Sequence, residues 1–428
     1  MSNIRGRSDQ AASGRAARPE LDEIGRPDPE RWPGLAGPPR APLRARIAEQ
    51  LFRRAVAKIP VRVLLPGGEK LGTGGPDAPA MRIVRPRAFF HRLGADANIG
   101  FGEAYLVGDW TSDRPADVLT PFAERMASLI PRWMQAFRRF VDARHPTSDE
   151  GTLEGARNNI ERHYDLSNDL FAAFLDPTMT YSSALFAGPG DTDLLAGQRR
   201  KVDAVLDYAA VGSGTKLLEI GTGWGELAIR AAQRGATVDT LTLSTEQRDL
   251  AQRRIAEAGV ADRVRVLLRD YREAGGSYDA IASVEMIEAV GERYWPSYFS
   301  SLDRLLRPGG RIGLQSITMP HERMMASRNA YTWMHKYVFP GGLIPSITAV
   351  RQQLAAHTGL RIAAYREFGQ DYATTLRLWR ERFNSRWPDI ARLGFDATFR
   401  RVWEFYLAYS EAGFRAGYLG VAQFSLAR

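Results

Sequence analysis

Two short stretches of this 428-residue chain carry residue types and spacings that could do chemistry. In Leu217-Leu218-Glu219-Ile220-Gly221-Thr222-Gly223-Trp224-Gly225 an apolar run breaks into glycines at alternate positions, and a helix-like pattern, Glu226 to Gln233, follows. Strand, tight turn and helix present a ligand-binding loop at a helix start, where glycine lets the backbone take left-handed dihedrals with no Cβ in the ligand's way. Taken alone, the motif suits a dinucleotide, S-adenosylmethionine (SAM) or an ordinary turn. Further on, Val284-Glu285-Met286-Ile287-Glu288 sets two carboxylates three apart at a strand-to-helix turn. Such a pair can share a proton, raising one pKa.

These residues need a scaffold. Lys216–Ile220, Thr237–Leu243, Val264–Arg269, Tyr278–Val284 and Arg311–Ile317 read as strands, with helical patterns between the first four. That alternation predicts a Rossmann-like α/β fold, a parallel doubly wound sheet flanked by helices with ligands at the strands' C-terminal ends. The second strand ends in Thr242-Leu243-Ser244, followed by Gln247, polar groups where a dinucleotide fold would carry an acid for the ribose. This disfavours NAD. The third ends in Arg269-Asp270-Tyr271-Arg272, which can frame an adenine by stacking and hydrogen bonding.

Upstream, residues 1–42 are rich in Arg, Pro, Gly and Asp without a hydrophobic period, and are expected to be a disordered basic tail. Arg44–Ile59 has Ile47, Leu51, Phe52, Val56 and Ile59 at helical spacing among arginines, an amphipathic basic helix. Val61–Gly67, Met81–Pro86 and Gly100–Asp109 read as strands and turns of a small α+β domain over 43–122. A helical linker is expected over 123–156, with Trp133, Met134, Phe137 and Phe140 beside Arg132, Arg138, Arg139 and Arg144. The remainder, 157–428, forms the larger domain.

Zero cysteines exclude disulfides, thiolate metal sites and thiol nucleophiles, and no metal site is expected. No apolar run reads as a membrane span or signal peptide, so a cytoplasmic location is expected. Net charge is +9 and the sequence pI ≈ 9.8, which favours an anionic partner, a phospholipid surface or nucleic acid. A nucleic-acid partner is disfavoured because no Asn-Pro-Pro-Tyr-like motif or base-stacking module is visible.

Arg162-His163-Tyr164-Asp165-Leu166-Ser167-Asn168-Asp169-Leu170-Phe171, followed by Phe174 to Phe186, resembles the entry segment of the cyclopropane fatty-acid synthase family. Those enzymes methylate unsaturated acyl chains of phospholipids. Further matches are Glu219–Gly225, Leu241–Gln247, Asp270–Arg272, Val284–Gly291, Tyr294–Pro308, Phe339–Gly342, Trp403–Phe414 and Val421–Phe424. The resemblance implies that Tyr181, Ser182, Gly221, Gly223, Thr242, Gln247 and Tyr271, with Asp270 beside it, hold SAM. It also implies a bicarbonate ion, serving as anion and base, held by a Cys, a Glu, a His, a Tyr and a backbone group.

Here the chain departs from the family. Ser183 stands at the Cys position, Gln315 at the His position, and the usual Glu-His pair reads Glu288-Ala289, while Glu288 and Tyr406 remain. Glu285 occupies a place where the family commonly has glycine. The expectation is that Glu285, alone or with Glu288, replaces bicarbonate as the anion beside the carbocation and as general base. A changed base favours a methylene-branched product, such as a 10-methylene chain from an oleoyl one, over a cyclopropane. Loss of three cage residues keeps a non-catalytic SAM- and lipid-binding protein in view as the alternative. Within an insertion at 319–350, Met319–Pro345 combines Met324, Met325, Tyr331, Trp333, Met334, Tyr337, Val338 and Phe339 with Arg323, Arg328, His335 and Lys336, suited to an acyl chain and a phosphate head. Expected partners are the inner face of an anionic membrane, bound peripherally, a reductase acting on the product, and a second copy of the chain.

Overall fold

The computed structural model describes residues 27–129 and 167–428. The expected tail up to residue 26, the linker over 130–156 and the motif residues Arg162–Leu166 therefore lie outside the described residues. Residues 27–42, expected to be disordered, instead pack on the fold: Leu35 is buried, and the Trp32 indole donates to Asp396 at 2.9 Å.

The N-terminal sheet is small, β1 (Arg62–Leu64), β2 (Lys70–Leu71), β3 (Ala80–Ile83) and β4 (Trp110–Thr111), ordered β2-β1-β3-β4. Helices Pro42–Val56, Pro86–Ala95, Ala97–Leu106 and Pro115–Leu129 accompany it. The predicted basic helix is present, with Phe52 and Val56 buried, but Ile47 is 58 % exposed. Gly100–Asp109 is not strand and turn: Ala97–Leu106 is a helix, capped by the Asp96 carboxylate on the Asn98 and Ile99 amides. Its glycines mislead a local reading because they serve close packing. A Cβ on Gly102 would sit 2.4 Å from the Trp333 ring, and one on Gly100 2.1 Å from the Arg92 carbonyl oxygen.

The second sheet has seven strands, β5 (Lys216–Ile220), β6 (Thr237–Thr242), β7 (Val264–Leu268), β8 (Tyr278–Val284), β9 (Leu306–Thr318), β10 (Arg361–Glu367) and β11 (Gly420–Ala427). Their order is β10-β11-β9-β8-β5-β6-β7. The first four match the sequence reading to within a residue; β9 runs five residues further back, from Leu306 rather than Arg311. β5 pairs in parallel with β6 on one side and β8 on the other, so the chain winds outward in both directions from it. A crevice opens outside the carboxyl ends of β5 and β8, where the strand order reverses. Apolar residues buried on both faces of β5 and β8 explain why these strands read as continuous rather than alternating runs. β11 returns antiparallel between β9 and β10, and its Gln423 stands opposite Gln315.

Aromatic packing ties the N-terminal elements to the larger sheet's helices. Trp333 meets Phe405 of the helix Ala397–Arg415 edge to face at 4.8 Å, and Tyr105 packs on the same Phe405 at 5.2 Å. Among the described residues no helix is long and apolar enough to cross a membrane.

Candidate active site

The crevice at the carboxyl ends of β5 and β8 opens into a cavity of ≈ 1650 Å³ that reaches from the Gly221–Gly225 loop to the helix Pro42–Val56. At the loop end, Gly221, Gly223 and Gly225 have φ of +96°, +51° and +91°, conformations that L side chains rarely adopt. No atom lies within 4 Å of where a Cβ on Gly223 would sit, so its backbone faces open space. At the end of β6 the Thr242 hydroxyl donates to Gln247 Oε1 at 2.9 Å, and Ser244 caps the next helix on the Gln247 amide. At the end of β7 both Asp270 oxygens accept from Arg272, whose guanidinium lies over the Tyr271 and Tyr294 rings. Asp270 thus orients Arg272 as well as lining the cavity. Glycine backbone, ribose-height hydroxyl and amide, and an aromatic-lined end form the donor set that SAM's amino-acid head, diol and adenine require.

The carboxylates lie next to this loop. Glu285 takes φ +52°, a left-handed conformation for a residue with a Cβ, while its amide donates to the Gln315 carbonyl at 2.8 Å. Its Oε1 accepts from the Ser183 amide at 3.0 Å and from Gln315 Nε2 at 2.9 Å, and its Oε2 from the Tyr372 hydroxyl at 2.7 Å. Gln315 is fixed in turn by Gln423, whose Nε2 donates to Gln315 Oε1 at 2.9 Å and to the Lys201 carbonyl at 3.1 Å. Both glutamines are fully buried, so the amide's direction is determined by its partners. Burial pushes the Glu285 pKa up, and the Lys201 charge, with the Tyr372, Gln315 and Ser183 hydrogen bonds, pulls against it.

Glu288 accepts from Ser316 Oγ at 2.8 Å and the Ile317 amide at 2.5 Å, leaving Oε2 without a hydrogen-bond partner among the described residues. Burial first, and the Glu285 charge second, push its pKa up to about 8. Burial thus disfavours the charged form at both carboxylates, and the charge of Glu285 adds to this at Glu288.

The remaining expected site residues differ in what they do. The Ser183 hydroxyl donates to the Ala184 carbonyl, so only the Ser183 amide reaches Glu285. Tyr406 pairs its hydroxyl with that of Tyr181 at 2.7 Å and packs against Phe339. Ser182 accepts from Lys201 Nζ at 2.6 Å. Of the cations assigned to a phosphate head, Lys336 is bound to Glu103 at 2.6 Å, Arg328 to Glu292 at 3.2 Å, and His335 to the Gly342 carbonyl at 2.8 Å. Arg323 lines the cavity without an ion pair among the described residues, lying over the Tyr418 ring, and His335 lines it too. Met319, Trp333, Met334 and Phe339 line the cavity, whereas Met324 is buried and Met325 is exposed.

Four residues at the site were not read from sequence: Tyr372, Gln423, Lys201 and Glu219. Gln423 was visible only as part of a matched segment. Glu219, buried in β5 with its pKa raised to about 8 by burial, accepts from Thr240 Oγ1 at 2.6 Å. A charge inside the apolar run before the glycines was the one signal for it. Lys201, a lysine among apolar positions of the helix Leu194–Tyr208, gave a weaker one, and Tyr372 gave none.

Fold and site together define a SAM-dependent methyltransferase. The model of the family described as mycolic acid cyclopropane synthetase matches residues 152–424. The chain is 51 % identical over 410 residues to the tuberculostearic acid methyltransferase UfaA1 of Mycobacterium tuberculosis, covering 94 % of this chain and 96 % of the relative. It is 34 % identical over 346 residues to the cyclopropane-fatty-acyl-phospholipid synthase of Escherichia coli, covering 79 % and 85 %. Among solved structures, a mycolic acid cyclopropane synthase complexed with SAH and CTAB aligns with a TM-score of 0.59 at 31 % identity, covering 64 % of this chain and 98 % of that one. A cyclopropane synthase from Mycobacterium tuberculosis aligns at 0.58 and 32 %, with the same coverage. The chain belongs to the cyclopropane fatty-acid synthase family, SAM-dependent enzymes that methylate unsaturated acyl chains.

Proposed function

We propose that this enzyme methylates the double bond of an unsaturated phospholipid acyl chain such as oleoyl, and that Glu285 then removes a proton to leave a methylene branch. One observation carries the reading. Ser183 and Gln315, which stand at two of the family's bicarbonate-binding positions, both donate to the Glu285 carboxylate. A bicarbonate in that place would compete with a carboxylate already tethered there, so the residues present do not suit the ion. That Glu285 is kept on left-handed backbone, at a cost of about 1–2 kcal/mol that glycine would avoid, supports a role beyond packing.

SAM supplies an electrophilic methyl group. The alkene's π pair forms the new carbon–carbon bond, leaving a cation on the neighbouring acyl carbon. A hydride moving from the methylated carbon to that neighbour makes the cation tertiary. Glu285 takes a proton from the methyl group, and the C–H pair becomes the exocyclic double bond; one proton leaves per turnover. Before that step the ionised carboxylate lowers the energy of the cation by charge, held by three donors that need no reorganisation. The runner-up product, a cyclopropane, forms if the methyl proton leaves while the ring closes, without the hydride shift. The name of the 51 % relative, a methyltransferase rather than a cyclopropane synthase, favours the branched outcome.

The acyl chain's source in this reading is an anionic bilayer. Leu43 and Ile47 are 75 % and 58 % exposed beside Arg44 and Arg46, on the helix whose Ile47 and Leu51 also line the cavity. Incubation with SAM and dioleoyl-phosphatidylglycerol vesicles, followed by gas chromatography and mass spectrometry of the methyl esters, tests product and source together. A cyclopropane ester as sole product refutes the methylene assignment. Equal turnover on zwitterionic vesicles refutes the anionic surface.

A further inference from the structure

Lys201 is 1 % exposed on the helix Leu194–Tyr208, yet it lines the cavity at the SAM end, and its Nζ meets a single hydrogen-bonding partner among the described residues, Ser182 Oγ at 2.6 Å. It makes no ion pair among the described residues. An ammonium has three donors, and burying one with two of them unmatched is costly unless something completes it. Burial lowers its pKa to about 8, while the charges of Glu285, Asp176, Glu219 and Glu226 support the protonated form, so it is mostly cationic at neutral pH.

The charges around it indicate what completes it. Of the cations near the glycine loop, Arg254 is bound to Glu226 and Arg272 to Asp270, so neither is free for another anion. Arg269 and Arg272 also line the cavity, but at the end of β7, on the exposed adenine side, whereas Glu219, Glu285 and Glu288 beside the glycine loop are acids. SAM carries two positive groups, the sulfonium and the ammonium, and one negative group, the amino-acid carboxylate. The acids suit the first two; Lys201, the buried cation on this side, suits the third. Ser182, while accepting from Lys201, still has its hydroxyl proton to donate, so the pair can present an N–H and an O–H to one carboxylate.

We propose that Lys201 is the counter-ion of the SAM amino-acid carboxylate, with Ser182 as the bridging donor. The lysine then selects SAM over nucleosides lacking the carboxylate.

The test compares binding of SAM and of decarboxylated SAM, by titration calorimetry on the full chain, in wild type and Lys201→Met. Wild type should bind SAM about 10- to 100-fold more tightly than decarboxylated SAM, the range of a hydrogen-bonded charge pair. In Lys201→Met that preference should collapse to about threefold or less, through loss of SAM affinity alone. The ratio cancels any general damage to the site, since both nucleosides share every other group. A preference that persists in the variant, or two affinities that fall together, overturns the assignment; the latter is what a lysine serving only as a partner for Glu285 would give. Should Lys201→Met not fold, Ser182→Ala read by the same ratio must still reduce the preference. The outcome does not depend on which product the enzyme forms, so it stands or falls apart from the role of Glu285.

Discussion

Replacing Glu285 by glycine separates the proposed base from the backbone that carries it. Glycine removes left-handed strain of about 1–2 kcal/mol but loosens the unfolded chain by roughly 0.4–1 kcal/mol, so the backbone terms nearly cancel. The side chain decides the result. Its loss strands the Ser183 amide, the Gln315 amide and the Tyr372 hydroxyl, three donors that now end on one carboxylate. Each unsatisfied buried donor costs about 1–3 kcal/mol. The vacated space borders the cavity, so bicarbonate, which has the same carboxylate end, can enter and accept from all three. Bicarbonate at ten times its dissociation constant stabilises by about 1.4 kcal/mol, which is about 3–6 °C for a mid-sized domain. Scanning calorimetry should therefore show a bicarbonate-dependent rise in melting temperature for Glu285→Gly and none for wild type. Without bicarbonate, turnover on oleoyl vesicles should fall by about 10²–10⁴-fold, the contribution of a positioned base. With bicarbonate, activity should return and the product shift toward a cyclopropane. A variant that turns over unchanged to the same product, and that ignores bicarbonate in the melt, refutes the assignment of Glu285 as base.

Three further outcomes follow from the geometry. Tyr372→Phe removes a hydrogen bond that holds the Glu285 pKa down, so the acid limb of the kcat–pH profile should move up by about one unit, and an unmoved limb would show that Glu285 does not set it. Glu288 is held near pKa 8 in the fold against 4.5 for the free group, so the native state binds the extra proton and stability falls as pH rises from about 4.5 to 8. Glu288→Gln should abolish that fall, by up to a few kcal/mol, visible as a melting-temperature difference that grows across this window and is flat above it; a constant difference contradicts the buried acid. Gly102→Ala should destabilise by about 1–3 kcal/mol despite alanine's better helix propensity, because the new Cβ would lie 2.4 Å from a Trp333 ring pinned against Phe405, and a raised melting temperature would show that the ring can yield.

In the parallel core β5 and β8 were legible because each is a short, largely apolar run buried on both faces, while the more polar β6 and half-exposed β7 were legible from the alternation of strand and helix. The helix Ala97–Leu106 was not. Its Gly100 is explained by the Arg92 carbonyl of the preceding helix and its Gly102 by Trp333, a residue more than two hundred positions away that no local pattern records. The site divides the same way. Glu285 and Glu288 stood out because they interrupt a recognisable strand end, but Tyr372 reaches Glu285 across 87 positions, and the Gln315–Gln423 pairing needs the antiparallel return of β11. Ser183 could be singled out by its position, yet its residue type does not tell that its amide rather than its hydroxyl faces the carboxylate.

A tethered carboxylate differs from a diffusible anion in ways that bear on the product. Glu285 is present at full occupancy whatever the surrounding bicarbonate, but its reach is fixed by a left-handed backbone and three donors. In the proposed reaction such a base would take only the proton that the acyl chain brings to it, so the timing of deprotonation relative to the hydride shift would depend on where the chain lies. A base held slightly too far from the methyl group of the first cation gives the hydride time to move, and the tertiary cation then has the methyl protons as its accessible acids. On this argument, Glu285→Asp, which withdraws the carboxylate by one methylene while keeping its charge, should slow turnover without restoring cyclopropane formation, and gas chromatography of the esters would show it. A cyclopropane product from Glu285→Asp in bicarbonate-free buffer would mean that distance does not set the order of the two steps.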